Sequence, residues 1–514
     1  MEQFLSTETL LIALLLVAAL VAIAVRRLRL PYTVGLVLAG LLITFQRPVD
    51  FTLTPELILA LFVPPLVFEA AFHLNLAELR QDLPIIVLLT VPGVILTTLI
   101  IGGMIGASTT LSLPAAFVFG ALISATDPVA VVALFKTLGA PRRLTALVES
   151  ESLLNDGTAL VLFNPVLAAA LSGHFNVLEG VVDFVRVAAG GIALGAALGW
   201  LTARLMAHID DYLIETTLTS VLAYGAYLAA ERLQVSGVLA VVAAGLIMGN
   251  LGPQSMSPTT RIVLFNFWEY VAFLANSFIF LLIGLQVNLP ELLGRWPAVG
   301  AAIAAVLAAR VIIIYGLSWV GNRFRGKRFT ASLPKSWQHI LSWGGLRGAL
   351  SLALVLSVPA QFGPERELLR VMTLGVVLFT LLVQGTTMRS LLQHLRIVER
   401  MPQQLLYELR HGRLAALRIA EQHLAEEYQK GLLTEHTWHD LRAELERRAQ
   451  GLAEELHAMV HSEPSLGASE MRAARQEMLR AQRSALMDMQ RNGVISEQAL
   501  ERLAAEVDAA LAAE

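Results

Sequence analysis

Acidic, hydroxyl and amide side chains occur close together in an otherwise apolar part of the chain. Glu151, Ser152, Asn155 and Asp156 directly precede an apolar run. Residues four positions apart are neighbours on a helix, so Ser152 should lie beside Asp156, and Glu151 beside Asn155. A carboxylate next to a hydroxyl and an amide offers hard oxygen ligands to a small monovalent cation, and protonation of the carboxylate would expel that cation. The alternative is a pair of structural acids in a salt-bridged helix bundle.

A proline interrupts a second apolar stretch directly after an aspartate. Asp127 precedes Pro128, and apolar residues flank the pair on both sides. Proline lacks a donor N–H and disfavours the helical conformation of the preceding residue. The pattern therefore predicts a helix broken near the middle of the membrane, with Asp127 capping the half-helix that follows. A proline kink with a capping acid and no role in transport is the alternative.

An arginine lies between glycines in a third apolar stretch. Gly344, Gly345 and Gly348 surround Arg347, and glycines weaken a helix while allowing close backbone approach. We expect Arg347 to offset the negative end of a broken helix or to pair with an acid such as Glu151. A structural role is favoured over proton transfer, because arginine does not practically lose its proton.

Two further charged residues fall inside apolar stretches, where a charge costs several kcal/mol. Glu69 has His73 on the same helix face. It is a candidate ligand or gate, and an acid that is merely capped or reaches the membrane surface is an equal alternative. For Arg310 we expect structural pairing.

The elements that position these residues are predicted to be membrane helices. The chain has 514 residues, a mean hydropathy of +0.64 and 15% charged residues, whereas a soluble domain has roughly 25%. A span needs about 20 apolar residues. Thirteen stretches qualify, at roughly 8–25, 31–46, 54–74, 84–108, 113–136, 145–172, 181–207, 212–232, 235–250, 264–288, 297–321, 337–358 and 368–392. The fold class expected is therefore an all-α polytopic membrane protein.

Charge divides the chain into two predicted domains. Residues 1–400 are about 12% charged and residues 401–514 about 28%. Lys and Arg are concentrated in alternate loops, which places the N-terminus outside and residues 401–514 in the cytoplasm. The absence of cysteine excludes disulfides and thiolate chemistry, and a net charge of −3 gives no sign of a nucleic-acid partner.

The second domain is predicted to be a small helical tail. Apolar residues recur at helical spacing over 403–462 and 467–512, with a turn at Asn492 and Gly493. The tail is expected to be regulatory or to stabilise a dimer. Six of the eleven histidines lie in it, so a pH sensor is one interpretation and solvated surface histidines are the other.

The two interrupted spans, the fifth and the twelfth, are seven spans apart. If spans 1–6 and 8–13 are repeats, an odd offset gives them opposite orientations. Paired interrupted helices in two inverted halves indicate a transport site near the middle of the membrane.

Three motifs, ATDPVAVV, ESESLLNDG and GGLRGALSLAL, resemble in order the core motifs of the monovalent cation/proton antiporters. The resemblance is to the branch of bacterial sodium/proton antiporters and eukaryotic sodium/hydrogen exchangers, and it covers roughly residues 10–395. It implies a fold with two crossed broken helices, a core around spans 4–6 and 11–13 that moves, and a dimerisation part formed by the remaining spans.

The resemblance also implies roles for individual residues. Asp156 would be the carboxylate that binds ion and proton in turn, with oxygens from Thr126 and Ser152 completing a Na⁺ site. Asp127 would compensate helix ends, and Glu151 and Arg347 would form a structural ion pair. Glu69 matches an additional acid of some prokaryotic members.

A secondary antiporter is the function that these features favour. The neighbours Asn155 and Asp156, in place of paired aspartates, resemble the electroneutral branch. The expectation is that a homodimer in the cell membrane exchanges Na⁺ for H⁺, one to one, by elevator-type alternating access. This exchange would serve pH and sodium homeostasis. K⁺ and Li⁺ are alternative cations. No cofactor is expected, and a cation channel or an intramembrane aspartyl protease are the competing classes.

Overall fold

The computed structural model describes the chain with short gaps. The described residues are 2–28, 31–46, 54–55, 57–174, 176–207, 209, 211–252, 256, 258–323, 333–397, 402–462, 464–491, 494–496, 499–500, 502–504 and 506–507. They form helices and connecting turns, with no strand among them, so the all-α prediction is confirmed. The chain divides into two compact units, Met1–Val398 and Glu399–Glu514.

Seventeen α-helices account for the described part of the first unit. They are α1 (Glu2–Leu28), α2 (Tyr32–Gln46), α3 (Val63–His73), α4 (Leu76–Ser108), α5 (Leu113–Leu122), α6 (Val129–Leu138), α7 (Arg142–Ser172), α8 (Val177–Met206), α9 (Tyr212–Arg232), α10 (Gly237–Leu251), α11 (Pro258–Leu285), α12 (Leu289–Gly294), α13 (Trp296–Arg323), α14 (Lys335–Trp343), α15 (Ala349–Leu356), α16 (Pro364–Phe379) and α17 (Gly385–His394). A π-helical turn, Leu57–Phe62, precedes α3, and another, Thr380–Gln384, joins α16 to α17.

These helices have the lengths and compositions of a multi-pass membrane protein. Seven segments are long and apolar enough to cross a bilayer, and six shorter apolar helices accompany them among the described residues. The short ones include α5 and α6, which together occupy the predicted fifth span. The predicted twelfth span is likewise divided into α14 and α15. The count of thirteen spans and the inverted repeat stay predictions.

The helices pack in two groups. In one group α4 contacts α5, α7 and α13, and α13 also contacts α14 and α16. In the other, α10 contacts α3, α8 and α9, and α11 contacts α2 and α3. The first group contains the predicted spans 4–6 and 11–13. Contacts of α3 and α10 with α7, and of α11 with α15, join the two groups.

Glycine allows α2 and α11 to approach closely. A Cβ added to Gly284 would lie 2.9 Å from the Cα of Gly40 and would collide with the carbonyl oxygen of Val37. Small residues at such crossings let two backbones pack without intervening side chains. The crossing is therefore sensitive to a single added methyl group.

The described part of the tail unit contains α18 (Pro402–Gln429), α19 (Glu435–Ser462) and α20 (Pro464–Arg491). The rings of Tyr428 and Trp438 stack 5.2 Å apart beside the turn from α18 to α19. Arg410 pairs with Glu455 at 3.1 Å between the same two helices. The predicted turn at residues 492–493 lies outside the described residues.

We expect Gly284→Ala to lower the thermal unfolding temperature of the detergent-solubilised protein, since overpacking at a tight contact costs about 1–3 kcal/mol. Gly300→Ala in α13 is the matched control, because no atom of the described residues lies within 4 Å of a Cβ placed there. An unfolding temperature of Gly284→Ala at or above that of the control would contradict the close crossing.

Candidate functional site

The break between α5 and α6 exposes carbonyl oxygens that Arg347 binds. The Nη1 atom of Arg347 donates to the carbonyl oxygens of Ser124 at 2.7 Å and Ala125 at 2.8 Å. The last carbonyls of a helix have no intrahelical partner and carry its negative partial charge. Ser124 and Ala125 follow Ile123, the C-cap of α5. The fully buried Arg347, 1% exposed, therefore binds carbonyls of the break itself, next to the negative end of α5.

Asp127 joins the two breaks. Its Oδ1 accepts a hydrogen bond from the backbone N–H of Val129 at 3.0 Å, at the start of α6. Its own N–H donates to the carbonyl oxygen of Leu346 at 2.8 Å, in the break between α14 and α15. A Cβ at Gly348 would collide with the carboxylate of Asp127, so only glycine leaves room for this contact. The carboxylate thus lies at the positive ends of both α6 and α15.

Thr380 binds the backbone of the second break, between α14 and α15. Its Oγ1 accepts a hydrogen bond from the backbone N–H of Arg347 at 3.1 Å and donates to the carbonyl oxygen of Val377 at 3.0 Å. Thr380 begins the π-helical turn after α16, a geometry that often marks functional positions. The sequence analysis missed this residue; a lone hydroxyl in an apolar run was the available signal.

Two polar residues of α7, Ser152 and Asn155, connect this helix to the first break at Thr126. The Nδ2 atom of Asn155 donates to the Oγ1 of Thr126 at 3.1 Å and to the Oε1 of Glu151 at 3.3 Å. The hydroxyl of Ser152 donates to the carbonyl oxygen of Thr126, and the two hydroxyls lie 3.4 Å apart. The amide of Asn155 therefore orients Thr126 at the same time as it contacts Glu151.

A cavity of about 100 Å³ lies beside this cluster. It is lined by Val63, Leu66, Val67, Ala70, Ala125, Thr126, Asp127, Pro128, Val129, Glu149, Ser152, Leu153, Asp156, Asn276, Gly348, Ala349, Leu350 and Ser351. The Oδ1 of Asp156 is buried and has no hydrogen-bond partner among the described residues. The cavity thus combines carboxylate and hydroxyl oxygens, the ligands that hard cations prefer.

The predicted ion pair between Glu151 and Arg347 is wrong. Glu151 pairs with Arg310, whose Nη1 lies 2.6 Å from Oε1 and whose Nη2 lies 3.1 Å from Oε2. The Nε of Arg310 also donates to the carbonyl oxygen of Leu341 at 3.1 Å. Arg347 is occupied by the carbonyls of the break after α5, which is the other role foreseen for it. The structural pairing expected for Arg310 is confirmed.

Glu69 does not line the cavity that contains Asp156. Its carboxylate lies 3.3 Å from the Nδ1 of His73, one turn away on α3. Lys136, Glu149 and Glu269 interact with it electrostatically. Of these, Glu149 pairs with Lys136 at 3.4 Å and lines the cavity, a position that the sequence analysis did not single out.

The geometry defines a class of protein. A multi-pass helical membrane protein whose two broken helices meet next to a buried carboxylate has the architecture of a secondary transporter. Residues 12–394 match the profile of the family described as "Sodium/hydrogen exchanger, transmembrane". The chain belongs to that family, as the three sequence motifs indicated.

Individual relatives support this assignment. The chain is 41% identical over 400 residues to the Na⁺/H⁺ antiporter ApNhaP of Aphanothece halophytica, covering 77% of this chain and 75% of the relative. It is 35% identical over 505 residues to the Na⁺/H⁺ antiporter NhaG of Bacillus atrophaeus, covering 95% and 94%. The fold is similar to that of the sodium proton antiporter MjNhaP1 of Methanocaldococcus jannaschii, with a TM-score of 0.63 at 20% identity over 78% of this chain and 100% of the other.

We expect Arg310→Met to lower stability by about 3–5 kcal/mol, because it leaves the carboxylate of Glu151 buried without its partner. Adding Glu151→Gln should recover part of that loss. Thermal unfolding of the four proteins of this double-mutant cycle gives the coupling energy. The same cycle with Arg347→Met should give a smaller coupling, and the reverse order would contradict the pairing seen here.

Proposed function

We propose that this protein is a secondary active antiporter that exchanges Na⁺ for H⁺. The observation that carries the proposal is the unpaired Oδ1 of Asp156 in a cavity that also presents the oxygens of Thr126 and Ser152. The family assignment and the names of the two relatives support Na⁺ as the cation. K⁺/H⁺ exchange by the same mechanism is the second candidate, since selectivity among monovalent cations depends on site geometry and dehydration.

Competition for one carboxylate couples the two ions. Deprotonated Asp156 binds Na⁺ on one side of the membrane, and a proton displaces that Na⁺ on the other. Because each ion requires the same carboxylate, the two do not bind together. One carboxylate carrying one cation or one proton makes the exchange electroneutral and one to one.

The neighbouring residues orient the site or balance its charge. Thr126 and Ser152 supply oxygens to the cation, and Asn155 holds Thr126 in position. Asp127 and Arg347 offset the ends of the broken helices. Glu151 pairs with Arg310 and so connects α7 to α13.

Glu69 is an additional acid outside the cavity. Its pair with His73 and its electrostatic interaction with Glu149 support a role in ion access, and separate it from the ligands around Asp156.

Alternating access is of the elevator type. The candidate ligands belong to the group of α4–α7 and α13–α17, whereas Val63 on α3 and Asn276 on α11, from the other group, also line the cavity. Movement of the first group past the second would open the cavity to the other side of the membrane. The second group would also provide the contact between two copies in a homodimer.

The distribution of positive charge supports an N-terminus outside the cell and a cytoplasmic tail. In the cell membrane this exchange would serve pH and sodium homeostasis, driven by ion gradients with no cofactor. A cation channel would instead conduct current, so a conductance measurement separates the two classes.

Asp156→Asn is expected to abolish Na⁺-driven proton movement in proteoliposomes while the protein folds normally, because the amide neither titrates nor neutralises Na⁺. Asp183→Asn is the matched control, since its side chain is 57% exposed on α8. Challenge with Na⁺, K⁺ and Li⁺ in turn, with the current recorded, tests the cation and the stoichiometry. Exchange by Asp156→Asn at the rate of the control would refute the site.

The apparent KM for Na⁺ should increase as the pH is lowered. As the pH falls below the pKa of the binding carboxylate, protons occupy more of the sites and the KM should rise by about tenfold per unit. Above that pKa the KM should be constant. Initial exchange rates at a series of Na⁺ concentrations and pH values provide the measurement, and a KM independent of pH would show that proton and cation do not share a site.

A further inference from the structure

A third residue with a hydroxyl group, Ser351, lines the candidate ion cavity, and its hydroxyl has no hydrogen-bond partner among the described residues. Ser351 lies in the first turn of α15 and is fully buried, with 0% of its surface exposed. It lines the cavity that contains Asp156. Its Oγ has no hydrogen-bond partner in the described part of the chain. A buried hydroxyl without a partner is costly, so its partner is expected to be something that the cavity holds.

The other two hydroxyls of the cavity wall are already engaged. Ser152 donates to the carbonyl oxygen of Thr126, and Thr126 accepts from Asn155. Ser351 is uncommitted, so its proton and both of its lone pairs are available to an occupant. Ser152 and Thr126, the hydroxyl ligands that the family motifs indicate, are hydrogen-bonded within the protein, whereas the hydroxyl of Ser351 has no such partner among the described residues.

Charge around Ser351 is compatible with a cation. The start of a helix carries a positive partial charge, which by itself disfavours a cation there. Here the carboxylate of Asp127 lies against Gly348, directly before α15. Asp127 therefore offsets the positive end of α15, and Asp156 supplies the net negative charge of the cavity.

We propose that Ser351 is a further ligand of the transported monovalent cation, an inference that rests on the function proposed above. The hydroxyl oxygen of Ser351 contacts the cation held by Asp156, and its proton points to a carboxylate oxygen. The cation is then bound by the break before α6 through Thr126, by α7 through Ser152 and Asp156, and by α15 through Ser351. When Asp156 is protonated, Ser351 accepts a hydrogen bond from it instead.

Ser351→Ala tests the proposal, with Ser318→Ala as a closely matched control. Ser318 on α13 is also buried, at 2% exposure, and its Oγ likewise lacks a partner among the described residues, but it does not line the cavity. Ser351→Thr keeps the hydroxyl and serves as the conservative variant. The KM and maximum rate for Na⁺ and for Li⁺ are measured for each variant in proteoliposomes.

We expect Ser351→Ala to raise the KM for Na⁺ by about five- to tenfold, which is the size of effect expected from the loss of one polar contact. The maximum rate should be nearly unchanged. The ratio of the KM values for Na⁺ and Li⁺ should also change, because ions of different size use the oxygen differently. Ser351→Thr should recover part of the affinity. Ser318→Ala should behave as the parent protein.

Binding can also be measured without transport. A cation that binds the folded state raises its unfolding temperature, by an amount that grows with the ratio of cation concentration to Kd. In a Na⁺ titration of the purified protein, Ser351→Ala should therefore need a higher Na⁺ concentration than Ser318→Ala for the same rise in unfolding temperature. Equal Na⁺ dependence of the two variants would overturn the role of Ser351, and Asp156→Asn would still decide the proposed function separately. Loss of maximum rate with an unchanged KM would likewise overturn it, since that result describes a structural serine.

Discussion

A backbone that leaves its helix inside a membrane must find hydrogen-bond partners within the protein, because lipid offers none. Within the described part of the first unit, the chain leaves helical geometry after α5 and again after α14, in two apolar stretches. Each break provides hydrogen-bond partners for the other. Arg347 from the second break binds carbonyl oxygens of the first, and the carbonyl oxygen of Leu346 accepts a hydrogen bond from the N–H of Asp127. Because each break supplies hydrogen-bond partners to the other, the pairing connects the ends of α5 and α6 to those of α14 and α15.

The pairing of the two breaks also determines which buried charged groups remain available to bind an ion. Arg347 and Asp127 are committed to helix ends, and Glu151 is committed to Arg310. A buried charge that keeps its partner is stable, and one that loses it is strongly destabilising. Asp156 differs from these residues, since one of its carboxylate oxygens has no partner among the described residues. Under the proposed function, Asp156 is the carboxylate that exchanges ligands, while the charges at the helix ends keep their partners.

The sequence predicted the helical class and the positions of the two breaks, but not the contacts between residues that are far apart in the chain. Pro128 and the glycines around Arg347 predict the breaks, because proline and glycine change the local backbone conformation. The partner of Glu151 is different: Arg310 lies 159 positions away, and helical periodicity cannot choose between it and Arg347. Thr380 and Ser351 were missed for the same reason, since a single hydroxyl in an apolar helix gains meaning only from what it faces.

The distribution of the candidate ligands fits an exchange mechanism in which the site moves as a unit. Thr126, Asp156 and Ser351 come from three different chain segments, yet all three belong to the helix group of α4–α7 and α13–α17. Residues of α3 and α11, from the other group, also line the cavity. Under the proposed mechanism, movement of the first group past the second changes which side of the membrane reaches Asp156 while the ligand set stays intact. Cation affinity can then be set by the paired breaks, and access by the boundary between the two groups, as separate properties of one fold.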